Sequence, residues 1–413
     1  MTSTSQPKPS LNPWRDLRIL PREMWILGAA TVVNRMGMMA LPFLTLYLTE
    51  HLHYSQAHAG YVLSVYGIGA LITSPLAGRL SDHFGPLRIM QLSMLLSGAM
   101  LLCFPLAKNY YAILGLAFLW AMLSEAFRPA SMSIISDWVL PEQRKAAFAL
   151  NRLAINLGMS IGPAAAGFIA TVSFTAIFVI DGVTSMLAAM VLVFSALRSH
   201  VPHVAEAHAR KTGAMQPRAT SVLNDRRFLY FLLAMLPVVI VFFQHNSTLP
   251  LFIVRDLQLP ESAYGLLFAL NTVMIILIEV PLNTSMAHWS HRNTLALGSL
   301  LWGLGFGVLI FAHNWWGAAA SIAIWTFGEM MLFPGSANYV SEIAPGERRG
   351  TYMGIYQMSF GLAFILAPWL GTQMLEHYGA KSLWAATFVL GSLSAAMMWR
   401  IGTPAVAKDS RSL

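Results

Sequence analysis

The sequence predicts an all-α integral membrane protein with twelve transmembrane helices, arranged as two six-helix bundles related by a parallel repeat around a central cavity. Three observations carry this prediction: a composition too apolar for a water-facing surface, a succession of apolar segments of helix length, and an internal repeat at about half the chain length. Of the 413 residues, 56% are hydrophobic and 11% charged, where a soluble domain carries about 25% charged residues. Twelve spans of about 20 residues with short connections would use most of this length.

The chain opens with a polar tail, 1–23, in which Arg15, Arg18 and Arg22 precede the first apolar stretch and no small-residue cleavage site follows promptly. It reads as a cytoplasmic tail rather than a removed leader. Apolar segments then run over 24–48, 57–80, 88–107, 110–137, 146–171 and 174–197, forming a first bundle, 24–197. A second bundle, 228–400, holds the segments 228–254, 262–284, 293–312, 315–340, 350–375 and 380–400. Each is long enough to cross about 30 Å of hydrocarbon as helix. Between the bundles, 198–227 carries six cations with Pro202 and Pro217 and reads as a cytoplasmic linker; 401–413 is a short tail.

Placing both termini in the cytoplasm puts 20 of the 26 Lys and Arg on that side, leaves Lys108, Arg255 and Lys381 outside, and keeps Arg35, Arg128 and Arg152 within spans. This is the positive-inside asymmetry, and it explains the net charge of +8 without nucleic acid. The single cysteine, Cys103, removes any disulfide framework and any cysteine-based metal site. None of the six lysines closes a phosphate-binding Gly-x4-Gly-Lys-Ser/Thr loop, and no catalytic constellation is present. The expectation is therefore a protein that is not an enzyme and needs no metal or cofactor.

A shift of 205 residues superimposes Trp120 on Trp325, Pro129 on Pro334, Ser131 on Ser336, Asp137 on Glu342, Glu142 on Glu347, Arg144 on Arg349 and Pro163 on Pro368. Gly60 falls on Gly265 at the same shift, and Leu41-Pro42 matches Leu249-Pro250 once three residues are removed. Both halves start inside with six spans, so the repeat is parallel, about an axis along the membrane normal. Such a repeat, with a site at its interface, suits two bundles that rock so that a central cavity faces one side at a time.

These features resemble the major facilitator superfamily over about residues 24–400. Gly78-Arg79-Leu80-Ser81-Asp82-His83-Phe84-Gly85-Pro86-Leu87-Arg88 is similar to that superfamily's cytoplasmic signature, with His83 and Pro86 at positions where basic residues are expected. The resemblance implies that Gly78, Asp82, Gly85 and Arg88 form a latch that holds the cytoplasmic ends when the protein faces outward. In the fifth span, Gly158, Gly162, Pro163 and Gly167 resemble the antiporter signature, in which glycines spaced by four allow close packing. The arginine usual twelve residues before the fourth-span proline in the drug/proton antiporter branch is Ala117 here. Asn34-Arg35 and Arg128 are similar, more loosely, to proton-coupled peptide symporters.

Seven ionisable residues lie within spans, and each needs a reason at about 2.5 to 3.5 kcal/mol per mid-membrane charge. Glu125 and Arg128 are spaced to pair on one helix face. Glu329 sits at mid-span and Glu279 is alone in its segment, so both are candidate proton carriers. Asp181 carries a proton or bonds a neighbour; Arg152 contacts substrate or snorkels to the interface. His245 titrates or is simply hydrogen-bonded within the polar break Gln244-His245-Asn246, where a second metal ligand is missing. Trp120 and Trp325, with Tyr66, Tyr339 and Tyr356, stack on a flat or cationic amphiphile or pack between helices.

The functional expectation is a secondary active transporter in a bacterial inner membrane, monomeric, exchanging protons for small amphiphilic organic solutes or drugs. Uptake of a small organic solute or peptide by proton symport, and a non-transporting receptor or scaffold of the same fold, are the alternatives.

Overall fold

The computed structural model describes residue 17 and residues 20–140, 143–195, 222, 224–286, 288–345 and 349–401. The predicted tails 1–23 and 401–413, the linker 198–227 and the repeat pair Glu142/Glu347 lie wholly or largely outside these residues. The first half of the chain forms α1 (Arg22–Gly37), α2 (Ala40–Leu46), α3 (Gln56–Phe84), α4 (Pro86–Cys103), α5 (Tyr110–Ser124), α6 (Phe127–Trp138), α7 (Arg144–Ala170) and α8 (Phe174–Phe194). The second forms α9 (Arg226–Phe242), α10 (Gln244–Ser247), α11 (Leu249–Leu251), α12 (Glu261–Ser285), α13 (His291–Val308), α14 (Trp315–Ile343) and α15 (Arg349–Trp399).

Among the described residues, ten stretches are long and apolar enough to cross a membrane, and α3, bent by 43° at Thr73–Pro75, makes an eleventh. The two predicted segments 350–375 and 380–400 run together as α15, whose 51 residues pass through a non-helical Gly379 with φ 77°. At 1.5 Å per residue it is about 77 Å long, enough for two crossings.

Helix breaks follow from proline chemistry. A proline removes one N–H and its ring clashes with the carbonyl four residues earlier. Pro42 acts on Met38, where α1 gives way to α2; Pro129 acts on Glu125, in the turn between α5 and α6; Pro250 acts on Asn246, inside the break that separates α9 from α11. Helix starts are set by side-chain caps: Ser55 accepts from the His58 N–H, Asn109 from Tyr111 and Asn314 from Gly317. Gly85, with φ 88°, makes the sharp turn from α3 into the proline-led α4, a conformation open to glycine at little cost.

The repeat is present in backbone detail at the same 205-residue offset. π-helical turns occupy Tyr47–His51 and Phe252–Asp256, and 3-10 turns Phe104–Leu106 and Leu309–Phe311. His53 and Gln258 alone among the described non-glycine residues have positive φ, and Asn109 and Asn314 are equivalent caps.

The halves meet along two equivalent pairings, α3 with α15 and α7 with α12. A Cβ on Gly265 would lie 2.5 Å from the Pro163 carbonyl oxygen and 3.0 Å from the Gly167 Cα, so helix axes can approach this closely only at glycine. Gly60 occupies the equivalent place against Pro368 and Thr372. Most of the polar contacts between the halves lie toward one end. Arg255 Nε donates to Glu50 at 2.5 Å, the Ala57 N–H to Glu376 at 2.6 Å, Ser64 to the Ile365 carbonyl at 2.7 Å and Gln373 to the Tyr61 hydroxyl at 3.0 Å. Toward the opposite end, Gly78 of α3 and Gly350 and Gly354 of α15 have open space where a Cβ would be. The halves are therefore closed at the Glu50 end and splayed at the Asp82 end.

A side chain at Gly265 should be expelled by this packing. Gly265→Val is expected to cost about 1 to 3 kcal/mol and lower the folded yield and melting temperature in detergent, whereas Gly78→Ala should leave both unchanged. Equal melting temperatures for the two variants would refute the close approach of α7 and α12.

Candidate functional site

Among the described residues, ionisable side chains gather in two clusters between the helices. The first joins the halves. Arg152 is eight residues into α7 and Glu279 six from the end of α12, so each lies on the order of 10 Å inside the splayed end. Their side chains form an ion pair in which the arginine is 60% exposed and the glutamate 10%. Glu329, at the middle of α14, lies within the electrostatic field of both. Its Oε2 accepts from Asn271 Nδ2 at 2.9 Å, and Asn271 also donates to Thr326 Oγ1 at 3.0 Å. The Thr326 hydroxyl donates to the Ile322 carbonyl at 2.6 Å, which leaves its oxygen to accept from Asn271 and turns the amide's donor side toward Glu329. Asn283 binds the carbonyls of Glu279 and Met330, tying α12 to α14 beside the cluster.

The second cluster lies within the first half, around a pocket of about 60 Å³ that Arg35, Tyr66, Trp120, Glu125, Arg128 and Asp181 help to line. Here the expected Glu125–Arg128 pair does not form. Pro129 breaks the helix at Glu125, so the two residues no longer share a regular helical face, and the Tyr66 hydroxyl donates to Glu125 at 3.1 Å instead. Asp181 accepts from the Met39 and Ala40 N–H groups at 3.1 and 3.0 Å, capping the freed start of α2. Asn34 donates to Ser185 at 3.3 Å.

Other expectations are revised by the same geometry. Glu279 is not alone, because its partner comes from the other half, and Arg152 reaches across to it rather than along its own helix. Trp120 is 4% exposed and packs edge-on against Tyr66 and Phe104; Trp325 is 3% exposed and stacks on Trp302 at 5.0 Å. Both serve helix packing, Trp120 also as a wall of the pocket. Tyr356 shares a 2.6 Å hydrogen bond with Ser336. His245 donates from Nδ1 to the Phe242 carbonyl at 2.6 Å within a ring cluster that includes Phe268 and Trp325. Gln244 bridges the α9 break to the Ala367 carbonyl of α15 at 2.9 Å, beside half-buried Asn246.

The glycines of the fifth span divide their contacts. Gly158 and Gly162 face the backbone of Arg35 and Met36 in α1, while Gly167 faces Glu261, Ser262 and Gly265 in α12. At the splayed end, Asp82 and Arg88 are exposed and make no hydrogen bond or ion pair among the described residues. Burial pushes the neighbouring Asp137 carboxyl up, with Arg144 opposing and the Asp82 carboxylate adding to the shift. Sequence reasoning missed Asn271 and the Glu50–Arg255 pair; the latter was signalled, since 50 and 255 differ by the repeat offset.

The family model described as Major Facilitator Superfamily matches residues 27–277 and 245–413. The chain is 26% identical over 375 residues to the uncharacterised MFS-type transporter YqjV of Bacillus subtilis, covering 89% of each chain. It is 24% identical over 366 residues to a Na(+), Li(+), K(+)/H(+) antiporter of Planococcus maritimus, covering 81% of this chain and 85% of that one. Multidrug resistance protein 2 of Bacillus subtilis is 23% identical over 361 residues, covering 84% and 88%. Among solved structures, a peptide transporter POT in complex with sulfate is similar with a TM-score of 0.76, at 17% identity over 95% of this chain and 99% of that one.

If Asp181 serves as a cap, Asp181→Ala should destabilise the protein by about 1 to 2 kcal/mol, and Asp181→Asn, which keeps an acceptor, by less. Melting temperatures test the order. Gradient-driven flux should survive in Asp181→Asn, and its loss in a well-folded protein would move Asp181 into the coupling machinery.

Proposed function

The chain belongs to the major facilitator superfamily, and on that footing we propose that it exports small amphiphilic organic solutes in exchange for protons, by alternating access. The observation that carries this reading is the Arg152–Glu279 pair across the two halves, with Glu329 beside it. When ionised, the two carboxylates and one guanidinium leave one negative charge over neutrality. In a medium of low dielectric that charge is met by one proton or by one cationic group of a solute, and a site that accepts either but not both performs exchange. Arginine keeps its charge throughout, so the proton resides on a glutamate.

Protonation of Glu279 removes the charge that holds Arg152, releasing the only ion pair between the halves that lies toward the splayed end among the described residues. Glu329, oriented by Asn271, is the carboxylate that first takes the proton in this scheme, and passing it to Glu279 is the step that releases Arg152. The charge asymmetry of the chain supports a cytoplasmic position for the splayed end, where an exporter collects its solute. Asp82 and Arg88, free in this conformation, are the groups that would latch that end when it closes. Relatives named as a cation/proton antiporter and a multidrug resistance protein support export.

Purified protein in liposomes, with ethidium as a cationic amphiphile, tests the proposal. An acid-inside gradient should drive accumulation; accumulation only with acid outside would show symport, and none under either gradient would overturn the reading. Glu329→Gln should lose at least tenfold in gradient-driven flux while keeping solute counterflow, because a permanently neutral group permits closure without reporting the pH difference. Glu279→Gln should also lose gradient coupling yet stay folded, since Arg152 is 60% exposed and is not left as a buried unpaired charge. Full gradient-driven flux in Glu329→Gln would remove Glu329 from the coupling.

A further inference from the structure

The outer face of the second half carries, toward the splayed end, three arginines that the exchange scheme does not use. Helices α9, α13 and α15 share a buried seam, in which Ser394 Oγ donates to the Ala234 carbonyl at 2.6 Å with the Ser299 hydroxyl 3.4 Å away. One turn nearer the splayed end, the Tyr230 hydroxyl donates to the Met397 carbonyl at 3.0 Å. Arg226 lies one turn before Tyr230 on the same face of α9, which sets it beside the end of α15. From the other side Arg292, at the start of α13, lays its guanidinium over the Trp399 ring, 4.3 Å from the centroid. Arg400 follows Trp399 directly. Three helix ends thus bring Arg226, Arg292 and Arg400 into one arc around the end of α15.

All three are exposed, and none makes a side-chain hydrogen bond or ion pair among the described residues. The acids close to them are engaged elsewhere. Asp225 accepts from the Arg227 and Phe228 N–H groups on Oδ1 and from the Tyr352 hydroxyl on Oδ2. Glu342, next to the start of α13, meets His291 with Oε2 at 2.7 Å and accepts from Asn338 on Oε1 at 2.9 Å. Behind each arginine runs an exposed apolar stripe: Leu229 and Leu233 on α9, Leu300 and Leu304 on α13, Val389 and Leu393 on α15. In a membrane-spanning bundle such stripes face hydrocarbon, so the arginines stand at the level where headgroups begin. Trp399, 53% exposed, has the place of an interfacial tryptophan.

We propose that this arc binds the phosphate of an anionic phospholipid, whose acyl chains lie along the apolar stripes on either side of α15. A phosphodiester presents two unesterified oxygens that share one negative charge, and guanidinium groups match that geometry with paired N–H donors. Stacking on Trp399 holds Arg292 by its face and leaves its N–H edge for the phosphate. A zwitterionic lipid brings an ammonium group into a field of three cations, and an anionic lipid does not. Dissolved phosphate meets the arginines but leaves the apolar stripes unused, which favours a lipid as the occupant. The surface shares no residue with Arg152, Glu279 and Glu329, so failure of the exchange scheme leaves it standing.

Dioleoylphosphatidylglycerol is the probe, and dioleoylphosphatidylcholine its control with the same chains and no net charge. In detergent, the melting temperature of the full chain should rise saturably with the fraction of phosphatidylglycerol in the micelle, and by much less with phosphatidylcholine at equal fraction. Arg226→Gln, Arg292→Gln and Arg400→Gln should each weaken the phosphatidylglycerol midpoint about fivefold, and the last two combined at least tenfold. Arg22→Gln removes the same charge from the same boundary in the first half and should leave the midpoint unchanged. Trp399→Ala frees Arg292 and should weaken binding a few fold, while Trp399→Phe, which keeps a ring, should weaken it less. If Arg292→Gln does not fold, Arg226→Gln and Arg400→Gln carry the same test. Native mass spectrometry supplies a readout separate from stability: phosphatidylglycerol should stay bound at collision energies that strip phosphatidylcholine, and should be lost from the double variant. Equal responses to the two lipids, an unaltered midpoint in the folded double variant, or an equal loss in Arg22→Gln would each overturn the proposal. Displacement of the lipid by millimolar sodium phosphate would identify a soluble phosphate as the occupant and overturn it as well.

Discussion

A backbone that bends inside an apolar bundle exposes N–H and C=O groups where no water can reach them, and most of the buried polar residues of this protein answer to that constraint. Pro42 breaks the helix at Met38, and Asp181 arrives from α8 to cap the N–H groups of Met39 and Ala40. Near Pro250, Gln244 binds the Ala367 carbonyl with its amide N–H and accepts from Ser247 and Thr248 with its oxygen. Around Pro129, Tyr66 joins the Ser124 hydroxyl to the Glu125 carboxylate. These side chains are committed to the architecture. Arg152, Glu279 and Glu329 sit within continuous helices, and the Met330 carbonyl that Pro334 frees beside Glu329 is met by Asn283, so none of the three side chains caps the backbone and their charges are available for chemistry.

The same breaks recur in both halves because the halves are copies. Offset identity reaches the π-helical turns, the left-handed residues His53 and Gln258 and the asparagine caps, none of which is a property of hydrophobic segments in general. Glu50 and Arg255, equivalent positions in the two copies, meet each other across the closed end. Residues related by a two-fold axis come together only close to that axis, so the pair marks where it passes. Opposite charges at equivalent positions allow the contact; an unaltered copy would have placed two like charges there, which repel.

Much of this was legible in the sequence. Hydropathy located the helices and the 205-residue repeat announced two equivalent halves; that these meet through α3 with α15 and α7 with α12 came from the structure. Gly60/Gly265 and Pro163/Pro368, found as repeats, turn out to touch each other's partners across those pairings. What failed was pairing read along one helix. Glu125 and Arg128 have the spacing of a helical pair, but a turn at Glu125–Ala126 interrupts the helix between them and Glu125 accepts from Tyr66 instead. Glu279 looked isolated because spacing within a segment carries no information about the opposite half, from which Arg152 comes. Trp120 and Trp325 were legible as equivalents, with stacking on a solute and packing between helices left as alternatives, because periodicity does not distinguish a ring that faces a cavity from one that faces a neighbouring helix.

Symmetry of the backbone and asymmetry of charge have different consequences. Two equivalent bundles can close at either end with similar packing, and neither arrangement is strongly preferred by apolar contact alone. A preference must then come from groups that are not repeated. At the Glu50 end those are the Glu50–Arg255 pair and the contacts of Glu376 and Gln373; at the splayed end, the Arg152–Glu279 pair and the unengaged Asp82 and Arg88. A bridge between exposed surface charges contributes little, about 0 to 1 kcal/mol, while a change of charge in a cavity of lower dielectric weighs more. Glu279 is nearly buried and Arg152 is not, so neutralising the glutamate alters the balance between the two closures more than any solvation of the arginine restores it. In the proposed exchange, the repeat would provide two states of comparable packing, and Glu279, a carboxylate found in only one copy, would be the lever between them.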